Sequence, residues 1–218
     1  MSAIQAKYYR YNANLNKAVK GWVLEHLMRL SPDDRYMRFF SPYNDSALAR
    51  YVDGIKETDE IFLTMESEGF NTRRFKVTGF LHVAALGDDS FEIGVSVDAD
   101  QRKNGIAASL FDRAFTFLKA RGCKKLYINC LSINTPMQRI VSKYSMTITR
   151  DPDDPSTRTA CAEMDNSPNV FAWLKGVQQD QIALFDLAFS GAVQGAKQAT
   201  IDGVDALTNL LKRPEDAP

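Results

Sequence analysis

The order of apolar and polar positions divides the chain into stretches of different period. From Met1 to about Leu30 the pattern is mixed. Tyr8, Tyr9 and Tyr11 stand in a polar setting, an apolar stretch surrounds Trp22 to Leu27, and strand and helix fit equally well. Ser31-Pro32-Asp33-Asp34 has the form of an N-cap, a proline at the first helical position and acids over the positive end of the dipole, predicting a short helix through Phe40. Ser41-Pro42 breaks it. Asn44 or Asp45 then caps a second helix carrying Leu48, Tyr51, Val52 and Ile55 on one side.

From Ile61 to Val97 the texture changes to β-rich runs, Ile61 to Met65, Phe75 to Leu86 and Phe91 to Val97, separated by Gly69-Phe70-Asn71 and Gly87-Asp88-Asp89. This predicts an antiparallel meander. After Gly105 a helical period runs through Ile106, Leu110, Ala114 and Leu118, ending at Arg121-Gly122 with a basic last turn and a glycine cap. A strand from Lys125 to Leu131, a helix from Asn134 to Tyr144, a strand from Met146 to Arg150, a turn-rich loop and a last strand from Thr157 to Met164 complete the alternation. Helices set between strands predict an α+β layered domain.

Past Pro168 the pattern is helical to about Lys212. Ile182, Phe185, Phe189, Val193, Ala196, Thr200, Val204, Leu207 and Leu211 recur in steps of three and four, so the stripe stays on one side of a nearly straight helix. Such a stripe needs an apolar surface, on its own domain or on a second subunit in a homodimer. The expected division is a catalytic domain over 1–167 and a helical extension over 168–218.

Composition narrows the function. The 218 residues hold 27 Lys+Arg against 27 Asp+Glu, so no global field draws nucleic acid or an anionic bilayer. No apolar run approaches the roughly 20 residues of a transmembrane helix. Cys123, Cys130 and Cys161 lack a disulfide-framework spacing and no secretory pattern opens the sequence, so the cytoplasm is the expected compartment. His26 and His82 lie far apart and near no cysteine pair, so no metal is expected. Triphosphate-binding, dinucleotide-binding and nucleophile-elbow motifs are all missing.

The segment from Phe91 to Arg121 reads strand, basic turn, glycine, amphipathic helix. A turn of this kind feeding a helix start offers unpaired N–H groups and a positive dipole end to an anion such as a pyrophosphate. The run Phe91-Glu-Ile-Gly-Val-Ser-Val-Asp-Ala-Asp-Gln-Arg-Lys-Asn-Gly-Ile-Ala resembles motif A of the GNAT acyl-CoA N-acyltransferase superfamily, whose [QR]-x-x-G-x-[GA] falls on Arg102, Gly105 and Ala107. Downstream, Tyr127 to Lys143 resembles the family's next strand and its asparagine-led helix. Upstream, Leu30 to Phe40 resembles a segment of bacterial protein lysine acetyltransferases.

The resemblance implies a three-layer α/β/α fold around a mixed, mostly antiparallel, centrally splayed sheet, with acetyl-CoA as cosubstrate and an amine, of a protein lysine or a small molecule, as acceptor. It implies that backbone groups of Val95 and Val97 hold the pantetheine arm and that amides of Arg102, Lys103, Asn104, Gly105, Ile106, Ala107, Ala108 and Ser109 hold the pyrophosphate. Asn134 would reach the cofactor's arm. Alternation along the strand puts Phe91, Ile93, Val95 and Val97 on the core face, and Glu92, Gly94 and Ser96 on the other, with room for ligand and water beside Glu92. A family glutamate at this position often serves as general base, and an amine of pKa about 10.4 needs one at neutral pH.

The bland reading of Glu92 is a solvated strand carboxylate. The family's tyrosine acid falls on Val141; Tyr144, one turn further along, is the remaining candidate. His82, within an apolar strand, reads as a satisfied core histidine, and Phe111, Phe115 and Phe117 as packing. Two other functions compete: a non-catalytic acyl-CoA sensor or scaffold that binds a partner through the C-terminal helix, and a lipid-surface helix, which the mixed charges beside the stripe disfavour.

Overall fold

Ser31 and Asn44 cap helices as their sequence context requires: each side-chain oxygen accepts the backbone N–H three residues on, from Asp34 and Ala47. The computed structural model describes residues 7–12, 17–67, 75–150 and 154–164. Its elements are β1 (Lys7–Asn12), α1 (Lys17–Arg29), α2 (Pro32–Phe39), α3 (Asp45–Asp53), β2 (Glu60–Ser67), β3 (Phe75–Gly87), β4 (Ser90–Val97), a 3-10 turn (Ala99–Gln101), α4 (Ile106–Arg121), β5 (Lys125–Leu131), α5 (Thr135–Lys143), β6 (Thr147–Arg150) and β7 (Thr157–Glu163). The ambiguous N-terminal stretch is thus a strand followed by a helix. The C-terminal stripe, the boundary at 167/168 and the Gly69-Phe70-Asn71 turn lie outside the described residues.

One sheet has the order β1-β2-β3-β4-β5-β7-β6, and every neighbouring pair is antiparallel except β4 with β5. This is the mixed, mostly antiparallel sheet expected. Alternation along its strands feeds two cores, one on each face. On one side α1 and α3 bury Val23, Leu27, Leu48 and Val52 against Ile61, Leu63 and Phe80. On the other, α4 and α5 bury Leu110, Phe111, Leu118 and Val141 against Leu81, Ile93, Leu126 and Ile128. Burying a side chain of this size contributes about 1.5–3 kcal/mol, so the two faces together anchor the central strands. Helix α2 lies over β4 and β5 on the α1 side.

The single parallel pair is also the shortest. β4 and β5 register only at Ser90 with Lys125, Phe91 with Leu126 and Glu92 with Tyr127. Beyond Glu92 the strands part: the far half of β4 pairs only with β3, and that of β5 only with β7. The sheet is splayed at its centre.

Close packing fixes the start of α4 against β3 beside this opening. A Cβ at Gly79 would lie 2.6 Å from Thr64 Oγ1 and 2.7 Å from Ile106 Cγ2, and Ile106 is the first residue of α4. Gly79→Ala is therefore expected to destabilise the fold by about 1–2 kcal/mol through overpacking and to push the first turn of α4 outwards. Chemical denaturation of the variant measures the first effect, and backbone amide shifts of Ile106 to Ala108 report the second.

Candidate active site

The opening between β4 and β5 continues into a cleft of about 720 Å³. One wall is β4, through Val95, Ser96 and Val97; the opposite wall is the start of α5, through Asn134, Pro136 and Met137; α2 covers one side with Asp34, Met37 and Arg38. The far end is the loop that enters α4. Lys103 and Gly105 both take left-handed backbone angles there, φ 66° and 76°, on either side of Asn104, curling the chain into the helix. Gly105 caps α4 with no side chain, and the first intrahelical bond runs from Ser109 N–H to the Gly105 carbonyl. The N–H groups of Ile106, Ala107 and Ala108 thus have no intrahelical acceptor and stand at the positive end of a sixteen-residue helix. An anion fits there.

Of the residues expected to hold the cofactor, Val95, Val97, Arg102, Lys103, Gly105, Ile106, Ala107, Ala108 and Asn134 line this cleft together; Asn104 and Ser109 adjoin it without lining it. Arg102 is latched at both ends, its Nε donating to the Val97 carbonyl at 3.3 Å and its Nη2 lying 2.7 Å from Asp34 Oδ2. Burial alone would raise Asp34, but Arg102 and Ser31 hold its pKa below the ordinary value. Asn134 uses its Oδ1 to accept Met137 N–H and cap α5, so its amide NH2 is the group that can donate to a ligand.

Glu92 stands where β4–β5 pairing stops, and Asn129 Nδ2 from across the fork donates to its Oε1 at 3.1 Å. Asn129 is itself held by Thr159, whose hydroxyl donates to its Oδ1 at 2.7 Å. The space expected on the Glu92 face is partly filled. The guanidinium of Arg38 lies flat over Gly94, where a Cβ would be 2.1 Å from Cζ, and Ser96 Oγ is 2.9 Å from His26 Nε2. Tyr144 is turned out of the cleft. Its ring packs against Phe111 and Phe115, and its hydroxyl donates to Asp112. Burial and the Asp112 carboxylate raise its pKa above the ordinary tyrosine value.

His82 is a satisfied, buried histidine, as its apolar setting predicts, but its partners reach the site. Nε2 contacts Asp59 Oδ2 at 3.1 Å and Nδ1 contacts the Tyr51 hydroxyl at 2.7 Å; Tyr51 in turn accepts from Arg38 Nη2 at 3.1 Å. Burial first, and the Arg38 charge second, lower the His82 pKa, keeping the ring neutral. A neutral ring facing a carboxylate donates from Nε2, so Nδ1 accepts from Tyr51 and every donor in the row from Arg38 to Asp59 is determined. Arg38, Tyr51, Asp59 and Asn129 carry no motif, and sequence reasoning does not single them out for this site; only pairing across the sheet joins them.

A splayed sheet whose cleft ends on an uncapped helix start leaves room for an elongated ligand with an anionic tail. The chain belongs to the acetyltransferase (GNAT) family, whose model matches residues 25–145. It is similar to the GNAT domain of S. lividans PAT, at 14% identity over 73% of this chain and 90% of that one, with a TM-score of 0.56. It is also similar to the ribosomal-protein-S18-alanine N-acetyltransferase of Escherichia coli, at 13% identity over 75% and 98% of the two chains and a TM-score of 0.52. A ribosomal L7/L12 alpha-N-protein acetyltransferase in complex with coenzyme A matches at 13% identity over 77% and 98%, TM-score 0.52. At these identities the structural likeness establishes the fold. No curated protein matches the sequence. Among the described residues no helix is long and apolar enough to cross a membrane, and no cluster of His, Cys, Asp and Glu could hold a metal ion.

Proposed function

We propose that this protein transfers an acetyl group from acetyl-CoA to a primary amine, with Glu92 as general base. The observation that carries the reading is the parting of β4 and β5 immediately after Glu92, which opens a cleft ending on the uncapped N-terminus of α4. The pantetheine arm lies between the strands against the backbone of Val95 and Val97. The pyrophosphate rests on the loop Arg102 to Ala107 and the amides of Ala108 and Ser109, and Asn134 donates to the arm from the opposite wall.

The acceptor nitrogen must lose a proton before it attacks the thioester carbon, and Glu92, directly or through one water, accepts it. Backbone amides of β4 near Val95 and Val97 receive the oxyanion. The carbon–sulfur bond then breaks, and a thiol with a pKa of about 8.5 leaves as thiolate without strong assistance. This matters because the Tyr144 hydroxyl is engaged by Asp112, so we assign it no acid role. The C-terminal segment 168–218, as a helical extension or dimer contact, belongs to the same proposal.

Calorimetric titration with CoA, followed by thiol release from acetyl-CoA over a panel of amines, tests the reading; no CoA binding would sink it. Ala107→Asp sharpens the test. A carboxylate in the first turn favours the α4 dipole, so folding is preserved, while its charge meets the pyrophosphate and is expected to weaken CoA about tenfold. One observation supports a second reading, a CoA-binding scaffold without turnover: among the described residues lining the cleft none is a tyrosine, cysteine or histidine. CoA binding without thiol release across the panel would favour it.

A further inference from the structure

Arg38 holds a cation in an unusual place. Its guanidinium covers Gly94 on the same face of β4 as Glu92, and it lines the cleft. Its one hydrogen bond among the described residues is Nη2 to the Tyr51 hydroxyl; Nε is buried with no partner, and no carboxylate of the described residues forms an ion pair with it. Aromatic rings flank it, Phe39 at 5.0 Å and Tyr51 at 5.9 Å from Cζ, so water does little to solvate it from those sides.

A guanidinium has five N–H donors in a rigid fork, and one that is held in place but largely unspent is an anion receptor. The row Arg38, Tyr51, His82 and Asp59 holds the fork through a single hydroxyl and leaves most of its donors unspent, the Asp59 carboxylate being kept at the far end of the row by Tyr51 and His82. Gly94 is part of the same device, because any side chain there would displace the guanidinium.

The anion is not the cofactor's pyrophosphate. Gly94 precedes Val97 by three residues, about 10 Å along an extended strand, and the loop that enters α4 is held at the Val97 end of that strand by Arg102. Glu92 is only two residues away on the same face, about 6.6 Å. A receptor for an anion and an acceptor of an amine proton at neighbouring same-face positions of one strand match a molecule that carries both groups a few bonds apart. Resting on the acyltransferase reading above, we infer that the acceptor is a small amine bearing a carboxylate, an amino acid or a close relative, which Arg38 grips by its carboxylate while its amine faces Glu92.

The test is a comparison of paired acceptors: L-amino acids against their amides and methyl esters, with 2-aminoethylphosphonate and a lysine-containing peptide as controls, each with acetyl-CoA. The free acids are expected to exceed their amides by about tenfold to a hundredfold in kcat/KM, the range of a charge-assisted hydrogen bond. Arg38→Gln, which keeps the side chain's stem, is expected to abolish that preference chiefly through KM while leaving CoA affinity and melting temperature near the parent's. Tyr51→Phe, which removes only the hydroxyl holding Nη2, is expected to reduce the preference partially.

Equal turnover of acids and amides by the parent, a stronger preference for the phosphonate, or turnover confined to the peptide would overturn the inference, as would an equal loss on every acceptor in Arg38→Gln. CoA binding with no turnover of any acceptor moves the comparison to binding: calorimetry with CoA present must still rank acids above amides, and no ranking overturns it. Failure to bind CoA at all is a different result, and removes the reading on which it rests.

Discussion

Glu92→Gln is expected to lower kcat by about 10²–10⁴-fold while leaving CoA affinity and the melting temperature close to the parent's. Asn129 Nδ2 donates to Glu92 Oε1, and an amide oxygen at that atom still accepts, so the substitution removes the basic group without undoing the brace across the fork. The neighbouring pairs with Ala84 and Tyr127 are backbone contacts and are unaffected. What changes is the fate of a proton: an ammonium of pKa about 10.4 is almost wholly protonated at neutral pH, and a glutamine cannot take its proton. Steady-state thiol release with a saturating amine, alongside CoA titration of both proteins, measures the effect. Turnover equal to the parent's would remove Glu92 from the role of base and leave the cofactor cleft untouched.

Asp98→Asn is expected to cost about 2–3 kcal/mol of folding stability at neutral pH, short of the full cost of orphaning a buried ion pair because Arg29 and Lys76 reach water. Asp98 is 5% exposed and lies against His26 Nδ1 at 2.8 Å and two cations, Arg29 Nη2 at 3.0 Å and Lys76 Nζ at 3.4 Å. It therefore ties α1 and β3 to the end of β4, where the chain turns into the cofactor loop. Burial by itself would raise its pKa, but His26 and Arg29 outweigh burial and hold it below the ordinary carboxylate value. A depressed folded-state pKa contributes stability in full above the unfolded value of about 3.9 and loses it as pH falls through the folded one. The gap between parent and Asp98→Asn in chemical denaturation is thus expected to be widest near pH 7, to begin narrowing near pH 4 and to shrink further in stronger acid. A gap that stays constant into strong acid would mean that Asp98 contributes packing and no charge interaction.

Much of this molecule was legible before folding was considered. Every strand and helix boundary from Pro32 onward that rests on a cap or a turn agrees with the structure to within a residue or two, because Ser31-Pro32, Asn44, Gly105 and Gly122 act through bonds three or four residues away. The stretch before Leu30 was ambiguous for the opposite reason. His26 is buried by contacts with Val77, Ser96 and Asp98, from distant strands, and no local pattern announces them. The cofactor loop was legible as a strand, a basic turn and a glycine; the space beside Gly94 was not, since its occupant comes from α2.

By itself the sequence determined the alternation of elements, the glycine that opens α4 and the placing of Glu92 on the strand face away from the main core, all consequences of local backbone preference and a period of two. Only the tertiary structure decided where β4 and β5 cease to pair, that Tyr144 turns to Asp112, and that Arg38 comes to lie within reach of the cleft. Strand separation, burial and the company of charges depend on residues brought together from far along the chain, and their energies exist only once the sheet has closed around them.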